Sequence, residues 1–247
     1  MKEGSLTNWR YKTYRAVWGA LDLLFPPDCA GCGKKGTRWC GDCRSRTIVL
    51  NGLLCEVCGL PQKRSGLCEA CANERPPFRS LRAWTVFGEP VRSALHRLKY
   101  YKDQSLGDML AAEMLPFTRE LGWKIDMMTP VPLGKQRKRK RGYNQVAMIA
   151  IPLSLGMEWK YAPRALMRRK ETRSQVGLTY EERRANMHCA FEAKRWVSGK
   201  SVLVMDDVST TGSTLSAATE ALYQSGARDV YALTVARALP HHDLAAA

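Results

Sequence analysis

A short segment near the C-terminus joins two adjacent acids to a run of hydroxyl side chains. Asp206 and Asp207 directly follow four apolar residues, 202–205, and precede a turn rich in Thr, Ser and Gly. Adjacent carboxylates can accept hydrogen bonds from a diol or hold a divalent cation, and backbone N–H groups at a helix start bind anions. The segment therefore predicts a site for a ribose 5-phosphate, with phosphate-binding groups at Thr210, Thr211, Gly212, Ser213 and Thr214.

Two other interpretations of this segment are weaker. An apolar strand that ends in acids also occurs in P-loop ATPases, which need the sequence G-x-x-x-x-G-K-[ST] elsewhere. The nearest candidate, "SGKS" at 198–201, has Lys194 where the first glycine is required. A helix N-cap after a strand explains one hydroxyl and one acid, but not two acids and four hydroxyls together.

Eight of the nine cysteines form four Cys-x-x-Cys pairs, and the last two pairs repeat the first two after 26 to 28 residues. Zn²⁺ prefers four soft ligands in a tetrahedron, which two such pairs supply. The repeat favours sequential pairing, with one zinc per ribbon, and an interleaved pairing stays open. The predicted zinc ligands are Cys29, Cys32, Cys40, Cys43, Cys55, Cys58, Cys68 and Cys71.

Other roles for these cysteines fit the spacing less well. A redox dithiol comes as a single pair near a βαβ unit, whereas here four pairs follow one another. A disulfide scaffold does not suit a chain in which we find no export signal, because disulfides are rare in the cytosol. An iron–sulfur cluster is the minor alternative. The cysteine segment is too short to bury much of a core, so metal binding would supply its folding free energy.

Composition indicates a strongly basic chain that we expect in the cytoplasm. The formal net charge is +16, and eight thiolates on two Zn²⁺ ions would change it by −8 + 4, to +12. Six of the seven residues 135–141 are basic. Such charge is consistent with a nucleic acid or polyphosphate partner, but a solvated surface has it too. There is no apolar run of about 18 residues, so no transmembrane segment is predicted.

The elements that must position these groups alternate between strands and helices. Residues 202–205 are apolar on both faces, which is typical of a central parallel strand covered by helices. The alternation predicts an α/β fold with a parallel central sheet, in which ligands bind beyond the carboxyl ends of the strands. Predicted strands are 81–87, 125–133, one near 166, 201–205 and 230–236; predicted helices are 90–100, 105–121, 144–155, 180–186 and 214–225.

The same patterns divide the chain into five parts. Apolar residues at helical spacing mark the first, paired cysteines mark the second, and "NERPPF" at 73–78 is typical of a linker. The predicted parts are an N-terminal amphipathic helix (1–28), a double zinc ribbon (29–72), a linker (73–80), the α/β domain (81–238) and a disordered tail (239–247).

Several motifs together resemble one known family. "VLVMDDVSTTGST" resembles the phosphoribosyl pyrophosphate (PRPP) signature of type I phosphoribosyltransferases, and the wider chain resembles the ComF family of competence-associated proteins. The resemblance implies a type I phosphoribosyltransferase fold for residues 81–238, preceded by a double zinc ribbon. The other motifs that carry it are "PPDCAGCG" (26–33), "LKYYKD" (98–103), "PVPLGKQRKRKRGYNQ" (130–145) and "RRKETRSQVGLTYEERRANMHCAF" (168–191).

The resemblance also implies roles for individual residues. Asp206 and Asp207 would be the catalytic acids and would bind the ribose 2′- and 3′-hydroxyls, partly through Mg²⁺, while residues 210–214 would bind the 5-phosphate. The pyrophosphate would face Arg137, Arg141, Asn144 and Gln145. A mobile loop that closes the site would carry Arg168, Gln175, Arg183 and Asn186.

These features support three functional hypotheses. The favoured one is a PRPP-binding phosphoribosyltransferase-family protein that acts in natural competence and DNA uptake. It would handle single-stranded DNA through the basic run 135–141, with Tyr143 available for stacking, beside a helicase partner. The second is a metabolic phosphoribosyltransferase that transfers ribose phosphate to an unidentified base or nucleotide acceptor, without a DNA role. The third is a PRPP-sensing regulator.

Overall fold

The computed structural model describes residues 9–101, 103–169 and 190–239. The predicted helix 180–186, Cys189 and residues 240–247 of the predicted tail lie outside these ranges. Leu239, the last described residue, packs against a small buried cluster that includes Leu50 and Val86.

A parallel sheet forms the centre of the molecule. Five strands lie in the order β1-β7-β6-β2-β3, and all neighbours are parallel. A separate antiparallel pair, β4 and β5, lies outside this sheet. The strands are β1 (Ser80–Val86), β2 (Met127–Pro130), β3 (Lys160–Tyr161), β4 (Leu166–Arg168), β5 (Phe191–Ala193), β6 (Ser201–Ser209) and β7 (Asp229–Arg237).

Helices cover both faces of the sheet, because the central strand β6 is apolar on both sides. Leu203 and Met205 pack under α4, α5 and α7, whereas Val202 and Val204 pack under α8. The predicted α/β fold with a parallel central sheet is therefore confirmed. The helices are α1 (Trp9–Leu24), α2 (Gly41–Ser45), α3 (Glu69–Asn73), α4 (Val91–Tyr100), α5 (Leu106–Glu120), α6 (Lys135–Arg141), α7 (Gln145–Met157) and α8 (Ser213–Gln224), with a 3₁₀ turn at Arg195–Val197.

Two differences from the sequence-based prediction affect the candidate site. Strand β6 does not end at Met205 but continues through the acids, because its residues pair with β7 as far as Ser209 and Arg237. The basic run, to which the prediction assigned no element, forms the helix α6; Gly142 follows its last residue and has a φ of +82°, the left-handed conformation that terminates helices.

The cysteine-rich segment packs closely onto the α/β sheet. Main-chain hydrogen bonds join it to the outer edge of β1: the Leu50 N–H donates to the Trp84 carbonyl at 2.9 Å, and the Leu81 N–H donates to the Val57 carbonyl at 2.6 Å. This edge would otherwise present unpaired backbone groups. The packing is tight at Gly59, where a β-carbon would lie 2.5 Å from the Leu81 carbonyl oxygen.

The N-terminal helix α1 lies against the first half of the cysteine-rich segment. The Arg38 guanidinium pairs with Asp22 and lies 5.4 Å from the centre of the Trp18 ring. Leu23 and Phe25, at the end of the helix, are mostly exposed. Within the described ranges, no helix is both long enough and apolar enough to cross a bilayer.

Candidate functional site

The first four cysteines converge on one point. The Sγ atoms of Cys29 and Cys43 are 3.6 Å apart, as are those of Cys32 and Cys40. Four sulfurs placed tetrahedrally about 2.3 Å from a zinc ion lie about 3.8 Å from one another. The Cys40 N–H also donates to Cys29 Sγ at 3.4 Å, an outer hydrogen bond of the kind that orients metal ligands. This set therefore fits a tetrahedral zinc ion.

The last four cysteines form a second set with the same features. Cys58 Sγ lies 3.6 Å from Cys68 Sγ, and the Cys68 N–H donates to Cys55 Sγ at 3.3 Å. Each set draws its members from two successive Cys-x-x-Cys pairs, so the structure has the sequential pairing and not the interleaved one. The two sets are Cys29, Cys32, Cys40 and Cys43, and Cys55, Cys58, Cys68 and Cys71.

The two acids lie near the carboxyl end of β6, beside the start of α8. Each carboxylate accepts a hydrogen bond from the next backbone N–H: Asp206 from Asp207, and Asp207 from Val208, both at 2.9 Å. The two carboxyl groups lie close enough to interact, because each shifts the pKa of the other. Asp206 is half-buried and Asp207 is buried.

Asp207 is the centre of a network that reaches two other elements. The Lys99 ammonium, from α4, lies 2.5 Å from Asp207 Oδ2, and the Gln145 amide, from α7, donates to the same oxygen at 3.2 Å. Gln145 in turn accepts a hydrogen bond from the Arg141 guanidinium at 2.7 Å. The structure therefore brings together the predicted residues Arg141, Gln145 and Asp207.

Sequence reasoning missed Lys99. It lies in the motif "LKYYKD", directly after Leu98, which is fully buried on the inner side of α4. A helix turns by about 100° per residue, so Lys99 lies beside this buried face, with its side chain 22% exposed. A half-buried cation on a helix that packs against the sheet was the available signal, but its partner is 108 residues away in the chain, from 99 to 207.

The two acids have pKa values that move in opposite directions. Burial and the negative charge of Asp207 raise the pKa of Asp206 to about 8. Burial would also raise the pKa of Asp207, but the Lys99 ammonium and the hydrogen bonds from Lys99 and Gln145 lower it instead. At neutral pH Asp207 is therefore ionised, whereas Asp206 is mostly protonated.

The Asp206→Asn variant is expected to gain thermal stability over wild type as the pH rises. The folded protein binds the Asp206 proton more tightly than the unfolded chain, in which an Asp titrates near 3.9. The stability from this proton is therefore present below about pH 4 and lost as the pH rises through 8. Asn does not titrate, so the Tm difference should grow by about 5 °C between pH 5.5 and 8.5.

The control for this experiment is Asp229→Asn, which removes a carboxylate at the amino end of β7, where it pairs with Arg79. Its Tm difference from wild type should not grow over this pH range. If the Asp206→Asn difference is also constant between pH 5.5 and 8.5, the raised pKa of Asp206 is wrong.

The turn after β6 has the form expected of an anion site. Gly212, at φ +81°, precedes the first residue of α8, Ser213, whose N–H donates to Thr211 Oγ1 at 3.4 Å. The Thr211 hydroxyl donates to Ser213 Oγ at 3.1 Å, and the Thr210 and Thr211 side chains are exposed. Sequence reasoning missed Ser209, whose buried hydroxyl has no hydrogen-bond partner among the described residues. The turn thus presents several donors around the first turn of a 12-residue helix.

The other predicted site residues that the structure describes, Asn144, Arg137 and Arg168, are not part of the hydrogen-bond network around Asp207. Asn144 has a structural role, because its side chain accepts from the Val146 N–H at 3.0 Å and donates to the Val131 carbonyl at 2.9 Å. Arg137 is exposed on α6. Arg168, in β4, lies over the Phe191 ring at 5.3 Å. The remaining predicted loop residues, Gln175, Arg183 and Asn186, lie outside the described ranges.

Tyr143 does not fit the stacking role predicted for it. It is half-buried against the core under α4, and its hydroxyl donates to the Leu98 carbonyl. Both contacts hold the ring inside the protein, so it is not available to a nucleobase.

Comparison with known proteins agrees with this architecture. The model of a double zinc ribbon domain matches residues 20–72, which with the two cysteine sets confirms the predicted double zinc ribbon and its two zinc sites. The chain is 32% identical over 206 residues to the DNA utilization protein YhgH of Escherichia coli O157:H7, covering 81% of this chain and 90% of that protein. It is 27% identical to the competence protein ComFC of Bacillus subtilis, covering 90% and 89%, and 28% identical to competence protein F of Haemophilus influenzae, covering 85% and 90%.

Two solved structures have limited similarity to this chain. One is the glutamine PRPP amidotransferase from B. subtilis complexed with ADP and GMP, with 21% identity, a TM-score of 0.36 and coverage of 57% of this chain. This chain spans only 26% of that enzyme's length. The other is a phosphoribosyltransferase from Corynebacterium diphtheriae, with 18% identity, a TM-score of 0.33 and coverage of 63% of this chain and 90% of that one.

Proposed function

Since the chain belongs to the ComF family, the family of the competence proteins and of the DNA utilization protein YhgH, we propose that it binds PRPP and Mg²⁺ and acts on single-stranded DNA in natural competence. One observation carries the PRPP part. The acids Asp206 and Asp207, on the central strand, lie within six residues of the glycine cap of α8 at Gly212. Few ligands need acceptors for a diol and donors for a phosphate this close together, and ribose phosphates do.

In this proposal each part of PRPP contacts protein groups of complementary charge or hydrogen-bonding capacity. The ribose hydroxyls donate to the carboxylates of Asp206 and Asp207, and the 5-phosphate accepts from the N–H groups that open α8 and from the hydroxyls of 209–214. The pyrophosphate faces Arg141, which Gln145 already links to Asp207. This arrangement follows the general rule that ligands of parallel sheets bind beyond the carboxyl ends of the strands.

The donor set also suits the magnesium ion that accompanies PRPP. Mg²⁺ prefers oxygen ligands and binds proteins through one or two carboxylates plus substrate phosphates. Asp207, which is ionised, and Asp206, once it has released its proton, would be the carboxylates that hold it, and the ion would neutralise charge on the leaving pyrophosphate. Lys99 balances the charge of Asp207 within the protein itself.

The same site can support phosphoribosyl transfer. The bond between ribose C1 and the pyrophosphate oxygen would break, the pyrophosphate would leave, and a nitrogen of an unidentified acceptor would bond to C1. The ionised Asp207 would favour the positive charge that develops on the sugar, and Arg141 would favour the departing anion. Equilibrium titration with PRPP and Mg²⁺ tests the placement, and we expect saturable binding at one site per chain.

The DNA part of the proposal depends on the charge of α6. Residues 137–140 are all exposed cations, and among the described residues none of the four forms an ion pair with a carboxylate. Such a surface binds a phosphate backbone by releasing its counterions. Relatives named for competence and for DNA utilization support this part of the proposal, in which the protein acts in the cytoplasm beside a helicase that handles incoming DNA.

Neutralising α6 is expected to weaken binding to single-stranded DNA and to reduce its dependence on salt. Each phosphate contact contributes about 0.7 to the slope of log K against log salt for single strands. Replacing residues 137–140 by Gln should therefore reduce the slope by up to about 2.8, as measured by fluorescence anisotropy with a labelled dT20 at 50 to 300 mM NaCl.

A control with the same charge change comes from the opposite end of the sheet. Lys124, Lys194, Arg195 and Lys200 are exposed and lie close to the amino ends of the strands. Replacing these four by Gln should leave the slope nearly unchanged. Equal reductions in both variants would show that binding depends on net charge alone and would remove α6 from the proposal.

A further inference from the structure

Three exposed aromatic side chains form a cluster at the end of α4. The His96 ring lies 4.8 Å from the Tyr100 ring and 5.8 Å from the Tyr101 ring, centre to centre. Tyr100 is 55% exposed and Tyr101 is 70% exposed. Large aromatic rings grouped on a surface in this way indicate a site for another molecule rather than part of the core. We call these three residues the α4 aromatic cluster.

The α4 aromatic cluster directly adjoins the basic helix. The Arg141 guanidinium, at the last position of α6, lies 5.2 Å from the centre of the Tyr100 ring. The same guanidinium donates to Gln145, which donates to Asp207. The aromatic cluster and the acid pair of the candidate PRPP site are therefore both linked to the Arg141 end of α6.

On its other side the α4 aromatic cluster borders a groove of about 960 Å³ between α4 and the first zinc ribbon. Arg92 and His96, exposed and four residues apart on α4, line this groove together with Tyr101. Its two acids are already engaged: Glu89 accepts from Ser93 at 2.5 Å, and Asp103 accepts from Arg97 at 2.7 Å. Arg92 and Arg97 therefore balance the charges of Glu89 and Asp103, so the groove adds the His96 and Tyr101 rings to the surface but no net charge.

We propose that this continuous surface is the binding site for single-stranded DNA, with bases stacked on the α4 aromatic cluster and phosphates bound by α6. This inference rests on the proposed DNA function and gives that function a location. Proteins that bind single strands without sequence preference combine a cationic groove with aromatic platforms, because every base has a face that can stack. In a duplex the bases already stack on one another and cannot reach the rings, so the surface selects unpaired strands.

The test compares ring removal with ring retention. Tyr100→Ala/Tyr101→Ala should weaken binding of the labelled dT20 by about 10- to 100-fold, since each stacked base contributes a large factor, while the salt slope stays close to that of wild type. Tyr100→Phe/Tyr101→Phe keeps both rings and should bind within about twofold of wild type. A 20-base-pair duplex should bind wild type and the Ala variant alike.

Trp196→Ala is the matched control, because Trp196 is also an exposed ring with a cation near it, Lys160 at 5.8 Å, but adjoins β3 at the far edge of the sheet. It should bind dT20 like wild type. A Tm and a zinc content equal to those of wild type show that the Tyr variants are folded. If wild type binds dT20 and the Tyr→Ala variant binds equally well, the location is wrong while the DNA function stands. If folded wild type does not bind dT20 at 50 mM NaCl, the DNA function fails, and the location fails with it.

Discussion

Cys55→Ser is expected to leave one zinc per chain instead of two and to lower the Tm by roughly 10 °C. Cys55 is fully buried, and its set holds the part of the chain that is bonded to β1. A ribbon with so little core depends on its metal for folding free energy, which for structural zinc is about 10–16 kcal/mol. Loss of several kcal/mol of this folding free energy would lower the Tm of a domain of this size by roughly 10 °C.

Zinc content by mass spectrometry and Tm by calorimetry measure this effect. Cys189→Ser is the matched control, because Cys189 lies outside the repeats, and it should retain two zinc ions. Limited proteolysis should cut Cys55→Ser within 48–72, next to β1. Retention of two zinc ions by Cys55→Ser would contradict the assignment of its set.

Asp207→Ala is expected to weaken PRPP binding by about 100-fold while zinc content and dT20 affinity stay close to wild type. In the proposed complex the variant loses a charged acceptor of ribose hydroxyls, and hydrogen bonds to charged groups contribute about 1.5–3 kcal/mol each. It also removes the group that Lys99 and Gln145 hold in place. Isothermal titration calorimetry with PRPP and Mg²⁺ measures the loss.

Asp229→Ala serves as the control, because it removes a carboxylate from the same sheet at the opposite ends of the strands. Its PRPP affinity should match wild type. Equal loss of PRPP binding, zinc and DNA binding in Asp207→Ala would show that this aspartate supports the fold instead of the ligand.

The sequence alone predicted those strands and metal sites that a single local pattern determines. The apolar run 202–205 predicted a buried central strand, and pairing with both β2 and β7 bears this out. The cysteine repeat predicted two metal sites because a repeated unit folds in the same way twice. Gly33 and Gly59, each directly after the second cysteine of a pair, have φ values of +78° and +68°, so the repeated sequence adopts the same left-handed turn in both ribbons.

The sequence alone did not predict features that depend on contacts between distant parts of the chain. The seven residues of α6 are polar throughout, so no apolar periodicity marks them as a helix. The end of β6 is set by its partner β7. The pairing of Lys99 with Asp207 and the position of the α4 aromatic cluster beside Arg141 depend on how α4, α6 and the end of β6 pack together.

The most direct test of the account is titration of PRPP and Mg²⁺ into the wild-type protein that carries two zinc ions per chain. We predict saturable binding of one PRPP per chain that requires the acid pair and is much weaker for ribose 5-phosphate, which cannot engage the Arg141 side of the site. The absence of saturable PRPP binding at millimolar concentration, in protein with intact zinc and an unchanged Tm, would contradict the assignment of residues 206–214 as a ribose-phosphate site.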